Sequence, residues 1–504
     1  MDKPQHEPEI GKNVLDVFFQ RMYNNAKTVF REYIQNASDS LSEAYRLGIT
    51  QKHDAAISIQ IDRQQRKIVI HDNGIGIPVS QAEARLLDVA KSTKNGETQA
   101  GQFGIGRLTG GSCCEKLSFK TSAKDEDLAS EIIFDITKIR QTIADEHDDS
   151  SAVSVIKQTT QCELHEEKPD QHYFTVTLEN VNNDELLDIE SVKQYLQQVA
   201  PLDFNVPFKT TLLSSVPEEF KTDIEQLRHF PIFINDELLH KPYGLKINGT
   251  GDEILRLECF RIADFAWGWF AVTRFTKAIK KDDQNRGLRL RKHNIMIGDA
   301  NFLNDFFRQD RSNNYFYGEI HVTNKVKLTA DRDNLYPNSD NENFKSELNN
   351  KWIELEKLYQ HSNEIKKATE KGTLTDSETK KFNKLTEKSD AFRTVYEDYT
   401  KNLTKPTPQQ ESTIPQPTPE PQHKTPNLQP KTPNQQPKTP EPQQKPQPPT
   451  DKPTLNEQID RLNNYSEEQK ALIKNIFSYI IKRLPQTSIT EMDRIMNQVI
   501  EKDL

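Results

Sequence analysis

Glu32, Asn36 and Asp39 fall at i, i+4 and i+7 within the stretch "REYIQNASDSLSEAYRLG" that begins at Arg31. On a helix that spacing puts all three side chains on one face, which a helix normally reserves for apolar residues facing the core. Taken alone, the face reads as solvated surface. The same segment carries Phe18, Phe19, Met22, Val29, Phe30, Tyr33 and Ile34, so much of its surroundings should be buried. Buried carboxylates need a metal, a charge or water beside them.

Two further stretches carry chemistry. In "VIHDNGIGIP", Val69 to Pro78, a strand ends at Asp72 and gives way to Gly74 and Gly76, where the backbone can turn sharply and approach a ligand closely. A carboxylate at such a bend accepts hydrogen bonds of the kind a purine's exocyclic amine donates; an ordinary turn explains the pattern equally well. In "AKSTKNGETQAGQFGIGRLTGG", Ala90 to Gly111, Gly101, Gly104 and Gly106 enclose Gln102, Phe103 and Ile105 ahead of a predicted helix. Half of six consecutive positions being glycine lets several backbone N–H groups aim at one anion, which is phosphate-binding chemistry. No GK[ST] follows, so the loop is not a Walker A, and no strand precedes it as in a dinucleotide-binding fingerprint.

The elements that must hold these residues are legible in outline. At 504 residues the chain exceeds one core, so two or three domains are expected. A formal net charge of −9 with 28% charged residues reads as a soluble protein that does not coat nucleic acid. The four cysteines, Cys113, Cys114, Cys162 and Cys259, lack CxxC spacing, which argues against structural zinc and a disulfide framework. The polar start "MDKPQHEPEIGK" does not read as a signal peptide, and the most apolar run, "ADFAWGWFAV", is about half of what a membrane span needs. A reduced, cytoplasmic location with no membrane partner is expected.

Residues 14 to 48 read as helices, and "AISIQIDRQQRKIVIHD" as a β-hairpin of two alternating runs around a polar turn. Residues 130 to 180 read as further short strands, including "EIIFDI" and "HYFTVTLENV". A second α+β region follows from about Pro201 to Tyr336, then a Lys-, Glu- and Asn-rich stretch read as an exposed helical arm. Between Pro406 and Pro453 lie 16 of the 27 prolines and no aromatic residue, which predicts an extended tether, either a plain spacer or a docking site for a proline-reading module. Beyond it, Leu472, Ile473, Ile476, Ile480 and Ile481 keep helical spacing in a module small enough to need a partner or a second copy. The expected boundaries are 1–205, 206–340, 341–402, 403–455 and 456–504.

Carboxylate helix, DxGxG hairpin, flexible segment and glycine loop, in that order, form the sequential pattern of one nucleotide site. "VFREYIQNASDSLSEAYR", "HDNGIGIP" and "AKSTKNGETQAGQFGIG" resemble the N, G1 and lid/G2 boxes of the GHKL ATPases, most of all the 90-kDa heat-shock (HtpG-type) chaperones. The resemblance implies an α+β chain: a Bergerat-fold α/β sandwich ATPase domain, a middle domain like ribosomal protein S5 domain 2, then the tether and the helical module. It implies ATP and Mg²⁺ as ligands, Glu32 as the base that orients water, Asn36 on Mg²⁺, Asp39 lining the pocket and Asp72 receiving the adenine amine. Gly74 and Gly76 would border the base, Lys91 and Ser92 would start the lid, and Gly101, Gln102, Phe103, Gly104, Ile105 and Gly106 would wrap the triphosphate. Two departures stand out. Only eight residues separate Ser92 from Gly101, fewer than in a chaperone lid, and "YFTVTL" carries Phe174 where the family has Thr.

In this group a basic residue from the next domain completes the site. "KLTADRDNLYP" resembles the chaperone segment that supplies it and offers Arg332, whose other reading is a surface salt bridge with Asp331 or Asp333. "NRGLRLRKHNIMIGD" offers Arg286, Arg289, Arg291 and Lys292; Arg289 and Arg291 should share a strand face, bound to solvent, to nucleic-acid phosphates or to protein clients. The leading expectation is an ATP-hydrolysing clamp, a homodimer that closes on ATP around protein clients. The alternatives are a MORC- or MutL-like clamp on DNA, and a non-catalytic nucleotide sensor.

Overall fold

The computed structural model describes residues 10–16, 25–51, 53–88, 106–247, 252–329, 332–401 and 403. Lys91, Ser92, Gly101, Gln102, Phe103, Gly104 and Ile105, the proline-rich segment and the C-terminal helical module lie outside them.

After the short helix α1 (Val14–Asp16), α2 (Thr28–Arg46) carries the polar triad. Phe30, Ile34, Ala37 and Leu41 recur at helical spacing and are buried, so α2 lies on a core rather than in solvent. Its C-terminus turns at Gly48, φ +70°, whose N–H reaches the Tyr45 carbonyl.

The core beneath α2 is one face of an eight-stranded sheet. Strands β1 (Ile57–Asp62) and β2 (Lys67–Asp72) form the expected antiparallel hairpin. Ile57, Ile59 and Ile61 share a buried face with Ile68, Ile70 and Asp72, and Asp72 stands opposite Ile57. The strand's own alternation thus delivers one carboxylate to the core side at the strand end. Helix α3 (Val79–Leu87) follows, then β3 (Lys116–Ser122), β4 (Leu128–Asp135), β5 (Thr160–Glu166) and β6 (Tyr173–Glu179). Between β4 and β5 the reading as short strands is corrected: α4 (Ile136–Ala144) and α5 (Ala152–Thr159) intervene. They start where Asp135 and Ser151 accept N-cap hydrogen bonds from Lys138 and Ser154.

Helices α6 (Ile189–Val199), α7 (Val206–Ser215) and α8 (Glu218–Glu225) lead to β7 (Ile232–Ile234) and β8 (Glu237–Leu238). β7 pairs in parallel with β1 and closes the order β5-β4-β3-β6-β2-β1-β7-β8, so this sheet takes strands from beyond residue 205.

A second sheet, ordered β12-β11-β13-β10-β9, comprises β9 (Arg256–Ile262), β10 (Ala266–Val272), β11 (Gly287–Lys292), β12 (Ile295–Met296) and β13 (Tyr317–Val322). All seven residues of β10 are buried. Trp267, Trp269 and Ala271 face a cluster with Phe208, Leu212 and Phe220 of α7 and α8, while Ala266, Phe270 and Val272 face a cluster with Phe344, Leu348 and Trp352. The apolar run "ADFAWGWFAV" therefore includes a strand covered on both faces. The second cover comes from α9 (Ser339–Thr369), backed by α10 (Asp376–Thr386) and α11 (Asp390–Thr400). The expectation of an exposed arm is corrected: Phe344, Leu348, Trp352, Leu355 and Ile365 sit in the core at 2% exposure or less. The apolar positions are few, but they are large and share one face. Among the described residues no helix is long and apolar enough to cross a membrane.

Candidate functional site

Along α2 the three polar residues meet different surroundings. Asn36 is half-buried, while Glu32 and Asp39 are 8% and 4% exposed. The Glu32 carboxylate lies 3.5 Å from the guanidinium of Arg31, which donates to Asp333 Oδ1 at 2.7 Å. Burial pushes the Glu32 carboxyl above the usual carboxylate range, against the pull of Arg31 and then of Arg332. Burial alone would weaken the charge on Arg31, but Glu32, Tyr195 and Asp333 hold its guanidinium above its ordinary range.

Gly106, the last glycine of the loop, closes against the same carboxylate: a side chain there would begin 2.5 Å from Glu32 Oε2. The 3₁₀ helix that follows, Gly106–Ser112, is pinned to α2 by the Tyr33 hydroxyl, which donates to the Arg107 carbonyl at 2.8 Å and accepts from Gly110 N–H at 3.0 Å. Arg332 sits in the loop after β13 at φ +61°, its N–H bonded to the Thr329 carbonyl at 3.0 Å. Glu32, Gly106 and Arg332 therefore share one neighbourhood although they come from a helix, a glycine loop and the second sheet.

Asp72 lies at the end of the β2 face that α2 covers, 3% exposed, and accepts from Gly74 N–H at 3.0 Å. The turn beyond it packs directly on α2. A side chain at position 74 would begin 1.9 Å from Ser40 Oγ, and that hydroxyl accepts from Ile75 N–H at 3.1 Å. Gly76 adopts φ +63°, and a side chain there would begin 1.8 Å from the Ser122 carbonyl oxygen. Both glycines are thus required by close approach. Phe174, opposite Asp72 across the β2–β6 pair, stacks on Phe119 at 5.8 Å. Thr175 points to the other face and bonds His71 at 2.9 Å.

Arg31 and Arg228 carried no signal of their roles in the sequence, and Asp333 was read there only as a partner for Arg332. Arg31 and Asp333 meet across 302 residues, and Arg228 donates to Asp39 Oδ1 at 2.8 Å. Only the fold joins them.

Arg289 and Arg291 do share a strand, but they are 3% and 1% exposed. The expectation that they meet solvent, nucleic-acid phosphates or clients is corrected. Arg289 donates to the Gln284 and Ala300 carbonyls, and Arg291 pairs with the buried Glu319 and donates to Gln198 and Asn294 carbonyls.

The donor set near Glu32 suits a hard cation bound through oxygen: an amide oxygen at Asn36 flanked along α2 by two buried carboxylates, with no Cys or His among the triad.

Residues 23–172 match the family described as Histidine kinase-, DNA gyrase B-, and HSP90-like ATPase. Over 145 residues the chain is 30% identical to the chaperone protein HtpG of Shouchella clausii, covering 26% of this chain and 23% of that protein. HtpG of Clostridium perfringens is 31% identical over 145 residues, with the same coverage. HtpG of a Sulfurovum species is 29% identical over 168 residues, or 29% of this chain and 27% of the relative. The matched region thus spans about a quarter of the length of these curated relatives. The likeness is thus to the histidine kinase, DNA gyrase B and HSP90-like (GHKL) ATPases, and it is carried by residues 23–172, the region that holds α2, the β1–β2 hairpin and Gly106.

Proposed function

We propose that the protein is an Mg²⁺-dependent ATPase whose second domain completes the nucleotide site, working as an HSP90-like, nucleotide-gated dimeric clamp on protein clients. The observation that carries this reading is the meeting of Glu32 with Arg332, bridged by the Arg31–Asp333 ion pair across 302 residues of sequence. A carboxylate raised by burial is a stronger base than a solvated one, and the adjacent Arg31 limits how it turns. Glu32 is assigned the proton-accepting role toward water attacking the γ-phosphate. Arg332 is assigned to the charge that builds on the phosphoryl oxygens. Asn36 would hold Mg²⁺, which supplies charge neutralisation between the phosphates when bound. Asp72 would accept from the adenine amine, with Gly74 and Gly76 letting the backbone close on the base. Asp39 would line the pocket. Lys91 and Ser92 would begin the lid, and the loop from Gly101 to Gly106 would wrap the triphosphate.

The DNA-clamp reading loses its proposed phosphate contacts, because Arg289 and Arg291 are buried.

Calorimetric titration with ADP and phosphate-release kinetics with ATP test the assignment. Asp72→Asn should weaken ADP binding by about 5–150-fold, the effect of putting a donor where a buried site needs an acceptor (about 1–3 kcal/mol). Arg332→Ala should lower kcat by about 10²-fold with little change in ADP affinity. An Asp72→Asn protein with wild-type ADP affinity contradicts the purine assignment, and an Arg332→Ala protein with wild-type kcat contradicts the completion of the site.

A further inference from the structure

The nucleotide-facing helix is tied at two places to segments outside its own sheet core. One is the Arg31–Asp333 ion pair beside Glu32. The other lies at Asp39, eight residues or about two helical turns further along α2 than Arg31. There Arg228, from the segment between α8 and β7, donates to Asp39 Oδ1 at 2.8 Å. The carbonyl of the same Arg228 accepts from Asn294 Nδ2 at 2.9 Å.

Asn294 sits at the tip of the β11–β12 hairpin. His293 and Asn294 form its two-residue turn, both in the left-handed region with φ +51° and +64°. The amide of Asn294 also donates to the Leu202 carbonyl at 3.1 Å, and its Oδ1 accepts from Lys241 Nζ at 2.7 Å. Lys241 pairs with Glu319 at 2.6 Å, and Glu319 further accepts from the Tyr243 hydroxyl at 3.0 Å and pairs with Arg291. Lys241 and Glu319 side chains are at 0% exposure. Arg291 and Lys241 hold the Glu319 carboxyl ionised, well below its usual range, despite the opposing effect of burial. The next residue of the hairpin, Lys292, donates to the Val326 carbonyl at 2.6 Å, and Val326 begins the segment that carries Arg332. The path therefore runs from Asp39 through Arg228 and Asn294 to the hairpin, and from the hairpin to the base of the Arg332 loop.

We propose that Arg228 and Asn294 form a latch that fixes the rotation of α2 against the Arg332 loop, which makes both of them positioning residues for hydrolysis. This rests on the ATPase reading above. One tie beside Glu32 lets the Arg332 loop pivot relative to α2, which its own sheet core holds; a second tie, two turns away, removes that freedom. A path buried at Asp39, Asn294, Lys241 and Glu319 and half-buried at Arg228 suits the task, since a displaced link leaves desolvated groups without partners.

The test uses the full chain, comparing kcat for ATP with the ADP dissociation constant and the melting temperature. Asn294→Gly keeps the left-handed turn while deleting all three amide bonds. Arg228→Gln removes the ion pair, and Arg228→Lys keeps a charge for Asp39. Asn294→Gly and Arg228→Gln are each expected to lower kcat about tenfold or more while ADP affinity changes less than about threefold. The double variant should lose no more than the worse single one, because both act in one path. Arg228→Lys, which keeps a cation opposite Asp39, should recover part of the loss. Variants that melt earlier yet turn over ATP at the wild-type rate per folded molecule overturn the latch, as do fully additive losses. A wild-type protein that binds and hydrolyses no ATP overturns the parent reading and the latch with it.

Discussion

Glu32 is a carboxylate held against its own burial and, at the same time, the proposed base. Its folded pKa lies above the unfolded value, so the native state holds its proton more tightly. The sign follows: whatever stability this carboxyl contributes is complete below the unfolded pKa and is lost as pH rises through the folded one. Glu32→Gln, uncharged at every pH, should therefore raise the urea midpoint at pH 8, and the gain should vanish toward pH 4. Gly106 gives a second residue-scale prediction. A methyl group 2.5 Å from Glu32 Oε2 must displace that carboxylate, so Gly106→Ala should lower kcat by roughly 10–100-fold in phosphate-release assays. The burial of Glu32, Asp39 and Asp72 and the close approach at Gly74, Gly76 and Gly106 were foreshadowed because polar residues at apolar spacing and clustered glycines are local patterns. Arg31, Asp333, Arg228 and Asn294 were not, because their partners lie at separations up to 302 residues and no short-range pattern encodes them.

Among the elements, alternation read well where one sheet face is wet and poorly where both are covered. The β1–β2 hairpin announces itself by period two, with Ile57, Ile59 and Ile61 inward. β11 carries arginines on a strand buried along most of its length, so alternation of charge there signals internal bonding, Arg291 to Glu319 and Arg289 to backbone carbonyls, rather than a basic surface. Helix α9 misled for a different reason. Its mean composition is polar, yet Trp352, 1% exposed, stacks on Phe307 at 4.4 Å. Trp352→Ala should cost about 3–5 kcal/mol in urea unfolding, where an exposed arm would lose nearly nothing. α4 and α5 were missed because helices of nine and eight residues offer barely two turns of periodicity, and their N-caps Asp135 and Ser151 are the clearer signal.

Across the whole molecule, one helix joins two sheets: α2 covers the first sheet and is held at Arg31 and at Asp39 by residues of the second region and its approach. A nucleotide bound against α2 would then be sensed by the second sheet directly, which is what a clamp requires. In the proposed dimer, a non-hydrolysable ATP analogue should increase the mass measured by size-exclusion light scattering toward two chains, while ADP should not; an unchanged mass with saturating analogue would remove closure from the proposal. Everything depends on the chemistry at one carboxylate. The decisive measurement is ATP turnover and ADP binding by Glu32→Ala beside the wild type. If Glu32 is the base, turnover falls by about 10²-fold or more with ADP affinity within about threefold. A Glu32→Ala protein that hydrolyses ATP at the wild-type rate contradicts that role.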